Sequence, residues 1–378
     1  MAGIYLHIPF CKQACHYCDF HFSTSLKLKE AVLAAMHQEI RLQQNYLSGE
    51  TIDTIYFGGG TPSILSVAEL QGLLDTIHLV FPINPAAEIT VEANPDDLTP
   101  EKLLLLSQSP VNRLSIGVQS FHNPHLQLMN RPHTAGEAEG CIQLAQELGF
   151  DNISLDLIYG IPAEDEALWE QDLAKAFALN VQHLSCYALT IEPNTVLGHR
   201  LKKGTFTPAE EESVAQQFEL LMTQAKTHGF LHYEISNFCQ PGFESKHNSS
   251  YWRQTPYVGI GPSAHSFNGK SRQFNVAHNP QYVQALSQGQ LPCTVEELTV
   301  EDRVNEYVMT TLRTSWGCDT HYIRSKWNVD LVALHASYLQ QIIAKGLMQE
   351  NEGVLLLTEE GKLLADEIAL DLFLLKEE

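Results

Sequence analysis

Cys11-Lys-Gln-Ala-Cys15-His-Tyr-Cys18 gathers three thiols within eight residues of a 378-residue chain. At Cys-x3-Cys-x2-Cys spacing they are too crowded for a disulfide framework and one ligand short of a closed tetrahedral metal site. Three thiolates can instead hold three irons of a four-iron cluster, leaving the fourth iron open to a small ligand and so to chemistry or ligand exchange. Zinc is the alternative, with His7, His16 or His21 completing the set. The remaining cysteines, Cys141, Cys186, Cys239, Cys293 and Cys318, stand singly, often in apolar runs, as buried thiols of a reducing compartment do.

The elements that must position the triad follow from pattern. Strand-like runs at 4–8, 54–57, 88–93, 113–118, 153–158 and 183–189 alternate with amphipathic stretches at 29–47, 68–80, 137–148, 166–179 and 209–228. Alternation at this interval reads as repeated βα units on a parallel sheet, either a partial barrel or an open doubly wound sheet. The unusual residues sit just past the strand ends, and in a barrel those ends converge on one mouth. Three segments are expected: 1–230 as the βα unit, 231–290 as an irregular extension rich in Gly, Asn, His and aromatics, and 291–378 as a smaller, mainly helical module with a strand pair near 347–357.

A formal charge of −22 argues against nucleic acid or an anionic membrane as partner. The last segment has winged-helix texture, but its sixteen Asp and Glu against seven Lys and Arg exclude a DNA-binding reading and leave protein contact or pocket covering. The N-terminus runs straight into a strand, without a basic stretch and long apolar segment, and no run approaches membrane-spanning length. A cytoplasmic chain, monomeric or dimeric, is expected.

Gly58-Gly59-Gly60 follows the second strand. It matches neither Gly-x-Gly-x-x-Gly nor a phosphate loop, which leaves a bare βα turn or close approach of backbone to a ligand. Glu92 and Asp156 are carboxylates inside otherwise apolar strands, where burial needs a reason.

Taken together, Tyr5-Leu-His-Ile-Pro-Phe-Cys11, the triad, Gly58-Gly-Gly-Thr-Pro62, Val91-Glu-Ala-Asn-Pro95, Ser115-Ile-Gly-Val-Gln-Ser-Phe121 and Asp156-Leu-Ile-Tyr-Gly-Ile-Pro162 resemble the radical S-adenosylmethionine (SAM) proteins. Within them the chain is similar to the oxygen-independent coproporphyrinogen III oxidase-like family along essentially its whole length. The resemblance implies a partial (β/α)6 TIM-like barrel. It also implies a [4Fe–4S] cluster on Cys11, Cys15 and Cys18, whose open iron is chelated by SAM and whose electron, from an external donor, cleaves the sulfonium. Carried over residue by residue, Tyr5, Tyr17, Gly59, Gly60, Thr61, Glu92, Gln119, Arg131 and Asp156 become the SAM residues. Glu92 would face the sulfonium or ammonium charge, Arg131 the carboxylate, Asp156 and Gln119 the ribose hydroxyls, and Tyr17 the adenine.

Two departures separate the chain from the founding decarboxylase. That enzyme has a further cysteine two residues after the third, where this chain has Phe20, and a long extension before its first strand. His247-Asn-Ser-Ser-Tyr-Trp252 instead resembles the His-Asn-x-x-Tyr-Trp signature of the paralogous heme chaperones (HemW-type). That branch implies heme as cargo, apo-heme proteins as acceptors, and His247 as an axial ligand beside flat aromatic surface. Oxidative decarboxylation of coproporphyrinogen III is the alternative activity.

Overall fold

The computed structural model describes residues 2–163 and 167–375. Six strands come first: β1 (Ala2–Ile8), β2 (Ile52–Gly59), β3 (Ile83–Ala93), β4 (Arg113–Gln119), β5 (Ile153–Tyr159) and β6 (His183–Ala188). Each lies parallel to its predecessor, so sheet order follows chain order without the reversal of a doubly wound sheet. The fold is the expected partial barrel. Alternation does the sorting: Ile4, Leu6 and Ile8 join one apolar core with Val32, Met36 and Ile40 of the helix Lys29–Leu42, while Tyr5 and His7 occupy the opposite, interior face.

Helices Lys29–Leu42, Val67–Val80, Ala135–Glu147, Ala167–Ala178 and Glu211–Thr227 occupy the intervals. Ser66 with Glu69, and Thr134 with Glu137, form capping boxes that set two of the starts. The helix expected over 29–47 stops at Leu42; of that expected over 166–179, residue 166 lies outside the described residues.

The stretch 231–290 is more regular than expected. It supplies β7 (Leu231–Glu234), β8 (Asn237–Cys239), β9 (Tyr257–Ile260), β10 (His265–Phe267) and β11 (Ser271–Asn275), and β12 (Cys293–Glu297) follows. All join the same sheet, in the order β12-β11-β10-β9-β1-β2-β3-β4-β5-β6-β8-β7. Strands of three to five residues are too short for alternation to stand out in sequence. Between them the helix Lys246–Trp252 closes the base of the barrel, its first N–H groups donating to the buried Glu88 carboxylate (3.2 and 3.0 Å).

A second core starts at Val304 and gathers Val308, Leu312, Ile323, Leu339 and Leu355. Its sheet, β13 (Cys318–Asp319), β14 (Met348–Asn351) and β15 (Val354–Leu357), pairs antiparallel in the order β13-β15-β14. The helices Val300–Leu312, Thr320–Trp327 and Ala336–Ala344 accompany it, matching the small, mainly helical module read from sequence. Among the described residues no helix is long and apolar enough to cross a membrane.

Candidate functional site

Cys11 leaves the end of β1, and the loop carrying all three cysteines folds over the mouth of the barrel. There a cavity of about 540 Å3 opens, lined by Cys11, Cys15, Cys18 and the ends of β2 to β6. Tyr17, Gly59, Gly60, Thr61, Glu92, Gln119, Arg131 and Asp156 all line it. Tyr5 does not. Its ring stacks on Tyr56 (6.2 Å) and faces a second cavity alongside.

All three cysteines are free, and burial pushes the Cys11 and Cys18 thiols up to about 11. Thiols this desolvated need a bound cation to persist as thiolates near neutrality. Thr61 Oγ1 donates to Cys11 Sγ (3.3 Å) and Arg131 Nη1 to Cys15 Sγ (3.4 Å), hydrogen bonds of the kind that tune sulfur ligands. The histidines weighed for zinc are engaged elsewhere. His7 Nε2 donates to the His21 carbonyl (2.9 Å), His16 Nδ1 to the Leu128 carbonyl (2.8 Å), and His21 Nε2 pairs with Asn279 Oδ1 (2.8 Å). Among the described residues, no three His, Cys, Asp or Glu side chains converge on a point that could hold one ion. A sulfur-only donor set spread over several positions fits a multi-iron cluster, in which each thiolate holds a different iron.

Around the cysteines the cavity is built from inward-facing strand positions. On β3 Glu92 accepts from Tyr56 Oη (2.7 Å), and on β5 Asp156 accepts from Ser115 Oγ (3.2 Å). Burial raises both carboxyls, Glu92 to about 7 and Asp156 to about 6, with Arg113 pulling both down. Two carboxyls poised this way gain from a cationic ligand, which pairs with their charged forms. Arg131 Nη2 donates to Asn94 Oδ1 and to the Gly117 carbonyl (both 2.6 Å), while its buried Nε has no partner. Where the β4–β5 register shifts, Gln119 is held at φ +68, left-handed backbone that a non-glycine residue adopts only under constraint.

The glycine run has a packing reason as well as an exposure one. A Cβ on Gly59, at φ +107, would sit 2.6 Å from His7 Nδ1, and one on Gly60 would sit 2.7 Å from the Phe10 carbonyl oxygen. The turn is pressed against β1 on one side and faces the cavity on the other. Asn94, Ser115, Gly117 and Tyr187 line the same cavity and were not singled out from sequence. Ser115 and Gly117 were within reach, since they alternate with Gln119 on one strand face.

His247 lies elsewhere. It has no exposed surface and lines neither cavity. Its Nδ1 pairs with Thr54 Oγ1 (2.8 Å), its Nε2 with Tyr251 Oη (2.7 Å), and its ring stacks on Tyr56 (4.9 Å). Burial lowers it to about 3, so the imidazole is neutral and both nitrogens are spent. The axial-ligand expectation for His247 therefore finds no free nitrogen in this conformation. The signature reaches open space through Tyr251.

The radical SAM superfamily profile matches residues 5–176, and the HemN C-terminal domain profile matches residues 298–364. Heme chaperone HemW of Bacillus subtilis is 37% identical over 97% of this chain and 98% of its own length. HemW of Escherichia coli is 33% identical over 98% of both. The chain belongs to the heme chaperone HemW family. Among solved structures, the coproporphyrinogen III oxidase HemN of Escherichia coli, a radical SAM enzyme, superposes with a TM-score of 0.85 over 98% of this chain and 90% of that one. At 24% identity that likeness speaks for the fold.

Proposed function

We propose that this protein binds heme and delivers it to apo-heme proteins, on a radical SAM scaffold whose mouth cavity takes a [4Fe–4S] cluster and SAM. Cys11, Cys15 and Cys18 would hold the cluster. Gly59, Gly60 and Thr61 would offer backbone to the methionine end of SAM, Glu92 would face its positive charge, Arg131 its carboxylate, and Asp156 with Gln119 its ribose. When bound, the pair supplies one-electron cleavage of a carbon–sulfur bond. The chain's own part is to orient the ligand, offset its charge with Glu92 and Asp156, and keep the cysteine sulfurs under Thr61 and Arg131. An external electron donor would serve the cluster.

The observation that carries the reading is convergence. Eight of the nine SAM residues expected from sequence, drawn from the cysteine loop, four strand ends and Arg131, line one cavity with the three cysteines. Heme as cargo rests on relatives of matching length that are named heme chaperones. Phe20, standing where the founding decarboxylase has a further cysteine, weighs against decarboxylation.

Anaerobic reconstitution followed by parallel titration with heme and coproporphyrinogen III tests this directly. The expected result is about four iron and four sulfide per chain, stable heme binding, and no conversion of coproporphyrinogen with reductant and SAM present. Sustained decarboxylation would replace the chaperone reading with the alternative.

A further inference from the structure

The second cavity, about 460 Å3, shares Asp19, Phe20, Gly59 and Glu92 with the first and, Ser263 apart, is otherwise walled by aromatic and imidazole rings. Tyr5, Tyr251 and Tyr257 form flat sides, the last two meeting edge to face at 4.6 Å. Phe20 stands at the rim with 68% of its surface exposed. A large exposed phenylalanine beside an aromatic cleft is a contact surface awaiting a flat apolar partner.

Three histidines line this cavity, and they differ. Both nitrogens of His7 are used, on Tyr5 Oη (3.2 Å) and the His21 carbonyl (2.9 Å). His21 is tied to Asn279 through Nε2. The ring nitrogens of His265 make no hydrogen bond among the described residues, and the side chain is exposed, its ring tilted by 30° to that of Phe274 (5.6 Å between centroids).

The backbone delivering His265 is expensive. Gly261-Pro-Ser-Ala264 joins β9 to β10, with Gly261 at φ +108 and Ser263 at φ +64. A Cβ on Gly261 would lie 2.4 Å from the His7 carbonyl oxygen, so the turn is packed hard onto β1. It is pinned from beneath by Glu39, a carboxylate with no exposure that accepts from the Gly261 N–H (2.8 Å), from Asn275 Nδ2 (2.7 Å) and from Tyr282 Oη. Strained backbone held by a buried carboxylate collects where a side chain must be held in place. Here the side chain at its end is a free imidazole.

We propose that this second cavity is the heme site, with His265 as the axial ligand to iron and Tyr251, Tyr257 and Phe20 against the porphyrin, an assignment that rests on the heme-cargo reading above. A neutral imidazole offers the nitrogen lone pair that iron takes. His247 acts one step back, as a positioning residue: its bond to Tyr251 Oη fixes a wall of the site. The cluster cavity and the heme then share Phe20, the residue that stands where the founding decarboxylase has its extra cysteine.

Hemin titration of anaerobically reconstituted full-length protein tests the assignment by Soret position and affinity. His265→Ala should weaken binding by at least the roughly 10–100-fold that losing even an outer-shell partner of a metal ligand costs, shift the Soret band, and regain the wild-type band on adding imidazole. His247→Gln should weaken binding with the wild-type band retained. An unchanged band and affinity in His265→Ala overturns the site, as does a shifted band in His247→Gln alone. Should His265→Ala disturb folding, the wild-type chain carries the test: heme should protect His265, and not exposed His278, from diethyl pyrocarbonate, and equal modification of His265 with and without heme overturns the site. Failure of the wild-type protein to bind hemin at all would instead overturn the heme reading itself.

Discussion

The mouth and the base of this barrel are lined with the same kinds of buried polar side chain, and they do opposite things with them. At the base Ser154 Oγ meets His183 Nδ1 (2.7 Å), His183 Nε2 meets Tyr233 Oη (2.7 Å), and His247 bridges Thr54 and Tyr251. Most groups there have a partner; among the described residues the exceptions include Arg113 Nε and Nη1, Thr90 Oγ1, and Ser249 Oγ and Trp252 Nε1 of the closing helix. At the mouth Glu92, Asp156 and Arg131 keep unspent capacity beside 540 Å3 of open space. Composition does not distinguish a polar plug from a binding site; saturation does.

The comparison breaks most sharply at the cysteines. Replacing Cys11, Cys15 or Cys18 by Ala should abolish the reconstituted cluster while leaving heme affinity largely intact; iron and sulfide analysis reads the first and hemin titration the second. Stoichiometric zinc without sulfide in anaerobically prepared wild-type protein would refute the cluster.

At the base, His247→Ala should cost about 3–5 kcal/mol of stability, from a buried void plus hydroxyls left unpaired on Thr54 and Tyr251. Denaturant unfolding measures it, and a loss under about 1 kcal/mol, the size of an ordinary substitution, would show that the plug is not structural.

Glu92→Gln comes next, with SAM affinity expected to fall by about 10–100-fold, the worth of one hydrogen bond to a charged group. Because burial raises Glu92 to about 7 and Asp156 to about 6, wild-type SAM affinity should climb as pH rises through that range and ionises both. The variant should flatten the climb. Stability of the ligand-free protein runs the other way: a carboxyl raised by folding contributes most below its unfolded value and loses that contribution as pH rises through about 7.

The smallest effect belongs to Tyr56→Phe, which removes the 2.7 Å donor to Glu92 and leaves the ring that stacks on His247. SAM affinity should drop by about 2–10-fold, with its pH midpoint moving upward as Glu92 loses a group that favours its charged form. An unmoved midpoint would mean that Tyr56 serves the base alone.

What could be read from sequence follows from how far each signal reaches along the chain. The six long strands alternate over enough residues to betray themselves, and the unusual residues at their ends were readable with them, so the convergence of the cysteine loop, Gly59, Glu92 and Asp156 on one cavity was legible. The short strands β7 to β11 were not, because three to five residues carry little pattern. His247 shows a different limit. Its signature marks the right neighbourhood, but which ring nitrogen is spent on Thr54 or Tyr251 depends on residues up to 193 positions away. His265 had no pattern of its own; only the φ values of Gly261 and Ser263 and the buried Glu39 single it out.

One pairing in the sheet governs how this molecule is made. β1 lies between β2 and β9, with Gly3 beside Tyr257. A ribosome delivers that partner some 250 residues later, which at about 5–20 residues per second is on the order of ten seconds to a minute. Until then the strand that ends at the cysteine loop has an unpaired edge, open to mispairing and aggregation. Slow translation of the first two hundred residues would lengthen that interval, and synonymous codons alone would be enough to change the yield of intact protein.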